Sequence, residues 1–476
     1  DYLADDWDYQ ARAGYIGRVN YNYKGRYMLE LLGRYDGSYL YYKDSRFGFF
    51  PGASVAWRIS DENFFSPLKD VISDLKLRAS YGETGSEMGV SAFAYLGGFN
   101  FGSGSSVLDG VFVNGIQPRG LPIRNLSWVR NRSSNVGFDI SLLDYKLTGS
   151  FDLFERRRTG LPAGRYDVKI PLEVGYGLPN ENLESDAHRG VEGIITYTDK
   201  IGDFEYRIGT NASLSRRKWL YAYKPRFGNS WNVYRNSSED RWTGITWGYQ
   251  IIGRFESMEE IANYPINNDG RGNTDQLPGD FKYKDVNNDG IINGMDERPI
   301  GYALGAQPYL SYGLNLGVNW KNWSLTTDFA GATMQSYRRN WELKFPFQNN
   351  GSAPAYMFED RWHREDPYNP QSQWVSGTYP AIRQNLRGSH PNYLNNDFWI
   401  TNVNYFRLKN IELGYTLPKS LSEKIGSSNV RFYVNGTNLF SLDNVKKFEI
   451  DPEIASENGL VYPLQKMVLF GMNLTF

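Results

Sequence analysis

The sequence predicts an all-β chain, a transmembrane antiparallel β-barrel with short turns at one rim and long loops at the other. Three observations predict it. Apolar and polar residues alternate in period two along almost the whole chain. The alternating segments reach or exceed the roughly 9–11 residues that a tilted membrane strand needs, where sandwich strands average nearer 5–6. The connections fall into alternating short and long classes.

The alternation begins with Tyr15, Gly17, Val19, Tyr21 and Tyr23 against Ile16, Arg18, Asn20 and Asn22. After a Lys24-Gly25 turn, Tyr27, Leu29, Leu31, Gly33 and Tyr35 oppose Met28, Glu30, Leu32, Arg34 and Asp36. Leu75, Leu77, Ala79 and Tyr81 repeat the pattern, as do Leu147, Gly149, Phe151 and Leu153, and Leu310 to Trp320. We place about thirteen strands, at 11–24, 26–40, 49–59, 74–85, 128–141, 145–160, 187–199, 203–216, 307–320, 323–333, 405–416, 429–438 and 466–476. Tight turns fall at Lys24-Gly25, Asp144-Tyr145, Gly202-Asp203 and Lys321-Asn322, and brief helical pieces at 61–70 and 419–427. Long Gly-, Asn- and aromatic-rich loops occupy 86–127, 161–186, 217–306, 334–404 and 439–465, the two longest being 217–306 and 334–404. Short turns inside and long loops outside is the wiring of bacterial outer-membrane barrels. Structureless loops of that size count against a compact soluble domain. An odd strand total leads us to expect a chain that starts in an outer loop, Asp1 to Asp6, partway round a larger barrel.

Composition supports the lipid-facing reading and narrows the chemistry. The 476 residues include 35 Tyr, 27 Phe, 13 Trp and 49 Gly, yet mean hydropathy is −0.55. An apolar outer band with aromatic girdles around a polar lumen produces that combination. No run of about 18 apolar residues offers a membrane helix, and no secretory signal opens the chain. With 52 basic and 53 acidic residues, nothing points to nucleic acid. Cysteine is absent, and His188, His363 and His390 are the three histidines, so disulfide scaffolds and thiolate chemistry are excluded. Carboxylate pairs such as Asp5/Asp6 and Glu259/Glu260 are surface-like, and no phosphate loop or nucleophile elbow occurs. The chain is therefore expected not to be an enzyme.

Two features of the long loops suggest binding. Asp285-Val-Asn-Asn-Asp-Gly-Ile-Ile-Asn-Gly-Met-Asp296 has the spacing of an EF-hand-type loop, with Asp285, Asn287, Asp289, the Ile291 carbonyl and Asp296 as calcium ligands and Gly290 at the turn. Asp in place of the usual Glu at the twelfth position shortens the reach. Trp231, Tyr234, Trp242, Trp247, Tyr337, Trp341, Trp362, Tyr368 and Trp374 are candidate substrate contacts, because flat aromatic faces stack on sugar rings or peptide side chains. The same residues also serve to build small cores within large loops.

The C-terminal segments carry a family resemblance. Val468, Phe470, Met472, Leu474 and Phe476 form one apolar face ending on an aromatic, similar to the terminal signature of outer-membrane barrels. Tyr405 to Pro418 (YFRLKNIELGYTLP), Val430 to Phe440 (VRFYVNGTNLF), Asp451-Pro452-Glu453, Tyr462-Pro463, Trp128 to Gly160, Arg361-Trp362 and Tyr379-Pro380 together resemble SusC/RagA-type TonB-dependent transporters, from about residue 11 onward. The resemblance implies a 22-stranded barrel in the outer membrane of a Gram-negative cell. It implies an N-terminal plug, driven by the TonB complex, and a SusD-type surface lipoprotein as lid. It implies import of oligosaccharides, sometimes peptides. Against that pattern this chain holds barrel alone, so we expect the plug and the remaining strands, in contact with outer-membrane lipid, elsewhere. A passive porin or a surface adhesin on a similar barrel is the alternative.

Overall fold

The computed structural model describes residues 10–476 apart from Ser103, Tyr166, Tyr176, Pro225, 349–350, 384–389 and Pro463. Asp5/Asp6 and the Asp1–Asp6 stretch lie outside the described residues. A 15-stranded antiparallel sheet, its neighbours in chain order, is the main architecture. Its long strands are β1 (Arg12–Tyr23), β2 (Tyr27–Ser38), β3 (Phe47–Arg58), β4 (Ile72–Ser86), β5 (Val129–Leu142), β6 (Leu147–Ala163), β7 (Glu181–Ile201), β8 (Phe204–Tyr221), β9 (Leu310–Trp320), β10 (Trp323–Arg338), β11 (Ile400–Thr416), β12 (Asn429–Thr437) and β13 (Met467–Thr475). Each segment expected from the alternation overlaps one of them. Two short strands, Arg241–Trp242 and Ser441–Asp443, attach to β8 and β11. No helix among the described residues is long and apolar enough to cross a membrane.

The chain divides into two compact units, residues 1–197 with 213–243, and residues 198–212 with 244–476. In the first, cross-strand register gathers one chemistry on each face. Tyr21, Leu29, Val55, Ala79, Val136, Leu153 and Val191 are successive partners in one row. The neighbouring positions carry charge: Arg78 reaches Asp152 at 2.5 Å and Ser150 at 2.9 Å, and Lys76 pairs with Asp139 at 2.9 Å. A one-residue slip would exchange the two faces, so the alternation restricts pairing to registers that keep each chemistry on its own side. The apolar row takes the lipid side and the charged row the lumen side of a membrane sheet.

The second unit repeats this logic. Val318, Leu325, Leu413, Val434 and Phe470 are successive partners across β9 to β13. Next to the short turns, Trp320, Trp323, Tyr415, Phe432 and Met472 form a parallel row, matching the aromatic girdle of a membrane interface. On the opposite face Arg431 donates to Glu412 at 2.7 Å and Ser324 at 3.0 Å.

Turn chemistry closes the hairpins. Lys24 and Gly25 have φ of 55° and 70°, and Arg26 N–H donates to the Tyr23 carbonyl at 3.0 Å. Two consecutive positive φ values match the right-handed twist of the flanking strands. The helical pieces are 3-10 turns at Ile59–Asp61 and Asn63–Leu68, and Lys419–Ser422 continuing into Glu423–Ile425.

Strand length is the one systematic departure from expectation. β7 begins at Glu181 rather than 187, β8 ends at Tyr221 rather than 216, β10 at Arg338 rather than 333, and β11 begins at Ile400 rather than 405. These extensions sit at the long-loop ends. There loops or solvent cover both faces, so pairing persists after the apolar–polar alternation has stopped. The 86–127 loop likewise contains two small hairpins, Phe99–Phe101 with Ile116–Pro118 and Ser106–Leu108 with Val111–Val113.

Candidate functional site

The long loops of the second unit fold into a layer with its own core. Tyr249, Phe281, Tyr283, Ile292, Met357, Tyr379, Tyr393 and Trp399 form one buried cluster, and Tyr337, Val403, Val445, Phe448 and Ile450 a second. Short pairings tie the chain back: Thr246–Gly248 with Arg298–Gly301, and Ile251–Arg254 with Phe281–Tyr283. Several polar groups inside the core are matched. Trp399 Nε1 donates to the Asn392 carbonyl at 2.6 Å, and Asn396 Nδ2 to the Tyr283 hydroxyl at 2.7 Å. Asp280, wholly buried, accepts from Arg383, from Asn392 Nδ2 at 2.7 Å and from Leu277 N–H at 2.8 Å. A buried carboxylate persists only with such partners.

Arg339 sits at the heart of this layer with 1% of its surface exposed. Its guanidinium lies 3.8 Å from the Phe448 ring centroid, 4.9 Å from Phe398 and 5.0 Å from Trp399. It donates to the Phe398 carbonyl and, at 3.2 Å, to the Tyr379 hydroxyl. Aromatic faces and a carbonyl hold the cation without a carboxylate. Burial still pushes the Arg339 guanidinium below its ordinary range. Lys344, a few residues on, is also buried. Burial first, then repulsion from Arg338, brings its ammonium down to about 7, against the pull of Glu457.

Beside these cations lies a cavity of about 860 Å³, walled by the segments after β10 and after β12. Four of its lining residues present a buried polar atom with no partner among the described residues: Glu342 Oε2, the Tyr356 hydroxyl, Asn438 Oδ1 and Ser441 Oγ. Burial pushes the Tyr356 hydroxyl up to about 12, so it stays a donor at any physiological pH. Phe440 and Phe448 add apolar surface, and Arg407, held by Asp451 at 2.6 Å and Glu453 at 2.5 Å, closes one side. Native proteins leave few buried polar atoms unsatisfied. Four such atoms belong to residues that line this one cavity, which therefore offers polar edges beside its apolar surface.

The expected aromatic contacts do not converge there. Tyr337 is a core residue, 4% exposed, whose hydroxyl donates to the Ser456 carbonyl at 2.5 Å. Trp362 packs flat on Gly279, where φ is 93° and any Cβ would fall 2.3 Å from the indole. Trp374 is half-buried beneath the Arg364 guanidinium, 4.7 Å away, and Trp247 sits in the Thr246–Gly248 strand. Trp341 and Tyr368 are exposed, Tyr368 almost completely. In the first unit, Trp231 and Tyr234 pair at 5.4 Å on the Ser230–Asn236 helix, and Trp242 lines an outward groove beside Arg216. Glu342, Lys344, Tyr356, Arg407, Asn438 and Ser441 are not among the loop aromatics that the sequence offers as candidates. The Asn438 and Ser441 positions do fall inside the Val430–Phe440 motif region and its exit, the one signal available.

The Asp285–Asp296 loop has the predicted turn. Asp285 accepts from Asn288 N–H at 2.7 Å and Gly290 N–H at 2.8 Å, and Asp289 from Ile291 N–H at 2.9 Å. Asp296 is drawn the other way. Its two oxygens accept from Val286 N–H at 2.8 Å and Asn293 N–H at 2.9 Å, and it is 1% exposed. The carboxylate meant for the twelfth coordination position caps the Gly294–Asp296 turn instead. Among the described residues, no group of three or more His, Asp or Glu side chains is placed to hold a metal.

A long antiparallel sheet with one apolar and one charged face is the architecture of an outer-membrane wall. No family model matches the chain. Curated relatives do, over its whole length. It is 27% identical to the TonB-dependent receptor P26 of Formosa agariphila, across 100% of this chain and 47% of that protein. It is 25% identical to the TonB-dependent receptor SusC of Bacteroides thetaiotaomicron, across 97% of this chain and 43% of that protein. The structure of the RagAB peptide importer in its open-open state superposes with a TM-score of 0.71 at 19% identity, covering 98% of this chain and 47% of that one. The chain is similar over its whole length to TonB-dependent receptors, SusC among them, and resides in the outer membrane. It spans about half the length of the curated relatives it matches.

Proposed function

We propose that this chain forms wall and outer vestibule of a TonB-dependent importer of oligosaccharides or peptides. The observation that carries the proposal is the loop cavity, with its four unpartnered polar atoms, in a chain similar throughout to TonB-dependent receptors. Hydroxyl, amide and carboxylate edges suit sugar hydroxyls and peptide amides alike, and Phe440 offers a flat face for either. The RagAB neighbour is described as a peptide importer, and the SusC relative as a TonB-dependent receptor. On this reading a 22-stranded barrel is completed by strands and a plug outside the present chain. A SusD-like lipoprotein covers the loops, and the TonB complex supplies the work. The test is binding of labelled oligosaccharide and oligopeptide libraries to the intact outer-membrane complex. For the ligand that binds, Asn438→Ala with Ser441→Ala is expected to weaken affinity about tenfold, the worth of one or two lost hydrogen bonds. Unchanged affinity in a correctly folded barrel would remove the cavity from the substrate path.

We also propose a weak calcium site at Asp285, Asn287, Asp289 and the Ile291 carbonyl, with Asp296 acting as the cap that shapes it. Fewer carboxylate ligands than a sensor loop place it in the low-affinity range of extracellular modules, ~10⁻⁴–10⁻³ M.

A further inference from the structure

The outward face of the first unit changes character abruptly at one level. Val136, Leu153, Val191 and Leu214 line a groove whose rim is Glu155, Arg189, Arg216 and Trp242. The four apolar residues are exposed, at 59%, 60%, 44% and 39%. Stepping two residues along each strand keeps the same face and moves toward the long loops. Val136 leads to Ser134 and Arg132, Leu153 to Glu155 and Arg157, Val191 to Arg189, and Leu214 to Arg216 and Lys218. Register confirms the level: Ser134 is opposite Glu155, Glu155 opposite Arg189, and Arg132 opposite Arg157. Directly above the apolar band therefore stands a belt of five cations, Arg132, Arg157, Arg189, Arg216 and Lys218. Three anions temper it. Glu83 holds Arg132 at 3.0 Å, Glu155 pairs with Arg189, and the largely exposed Asp240 reaches Lys218 at 2.5 Å. Arg157 is exposed and has no ion pair among the described residues. Trp242 lies over this edge, 5.7 Å from the Arg216 guanidinium and 6.0 Å from the Lys218 ammonium. An indole at that depth marks a membrane interface.

We infer that this face binds a lipid whose headgroup carries phosphate, with acyl chains on Val136, Leu153, Val191 and Leu214 and phosphate on the Arg157–Arg216–Lys218 edge. Charge complementarity selects the occupant. A cationic belt at the border of an apolar floor, with Arg157 exposed and without an ion pair among the described residues, matches the border between acyl chains and anionic headgroups in a leaflet. Each Lys or Arg near an anionic surface contributes about 1 kcal/mol, about a fivefold change in binding. A soluble oligosaccharide or peptide would leave the apolar floor uncovered. The inference goes beyond import, and it requires outer-membrane residence alone.

Native mass spectrometry on the intact complex, purified in mild non-ionic detergent, tests it. The probes are a synthetic diphosphorylated, multiply acylated glucosamine disaccharide and its dephosphorylated counterpart, with inorganic phosphate as competitor. The expected result is retention of the phosphorylated lipid at least fivefold above the dephosphorylated one, undiminished by millimolar inorganic phosphate. Arg157→Gln with Lys218→Gln is expected to reduce retention by more than tenfold, and Arg157→Glu alone by more than Arg157→Gln alone. Equal retention of the two lipids would reduce the face to a nonspecific apolar band. Displacement by inorganic phosphate would make it a free-anion site. Either result, or unchanged retention in the double variant, overturns the inference. Should the double variant not fold, the comparison of the two lipids on the unaltered protein decides alone.

Discussion

Arg339 and Lys344 show how single residues set the behaviour of the loop layer. The Arg339 guanidinium has no carboxylate partner among the described residues and rests on aromatic faces, one carbonyl and the Tyr379 hydroxyl. Arg339→Met keeps much of the volume but gives up these contacts and leaves the Phe398 carbonyl without its donor. The expected cost is about 2–4 kcal/mol, from one desolvated cation–π set and one unsatisfied carbonyl. It should be visible as earlier proteolysis of the 340–400 segment while β10 and β11 stay protected. Lys344 predicts a pH effect. Its ammonium titrates near 7 when folded, below its ordinary value of 10.5. The unfolded segment therefore binds the extra proton between about pH 7 and 10.5, and stability rises with pH across that window. Below pH 7 both states are protonated and the burial penalty is fully present. Lys344→Met is expected to abolish the rise and to stabilise the loop most at pH 6, as read by hydrogen exchange at both pH values. An equal slope in the variant would assign the pH dependence to another group.

At the scale of elements, the Asp285–Asp296 loop separates folding from metal binding. Asp285 accepts from two backbone amides, so Asp285→Ala is expected to destabilise the turn by about 1–2 kcal/mol in chelator alone. Calcium is expected to add protection of the 285–296 amides in the unaltered protein at millimolar concentration, and none in Asp285→Ala. Identical exchange with calcium and with chelator would leave a hydrogen-bonded turn as the loop's whole role. Asp296→Ala should damage the loop equally in both conditions, because its oxygens cap backbone.

For the molecule as a whole, the sheet has a lipid face and a lumen face that differ by one residue in phase. Leu31 is flanked in register by Val19 and Ala53, well inside the apolar band. Leu31→Lys is expected to cost about 2–4 kcal/mol, the penalty for a cation near the bilayer midplane. Lys at the adjacent Leu32, on the other face, is expected to cost markedly less. Urea unfolding of the intact protein in bilayers measures both, and equal losses would mean that the faces are assigned wrongly.

Alternation from Tyr15 through Leu474 was enough to fix strand type and which residues share a face, because a one-residue shift puts charge on the lipid side, while the register itself came from the tertiary structure. Turn residues such as Lys24-Gly25 located the hairpins for the same local reason. Where β7, β8, β10 and β11 end was not legible, since beyond the membrane the two faces no longer differ in solvent. The lining of the loop cavity was less legible still. Trp362 and Tyr337 are candidate ligand contacts by residue type alone, and only the tertiary structure shows Trp362 against Gly279 and Tyr337 buried in a cluster with Val403. Glu342, Tyr356, Asn438 and Ser441 lie up to about a hundred residues apart and carry no shared motif. Tertiary structure decided that they wall one cavity, because loop closure, not local propensity, brings those segments together.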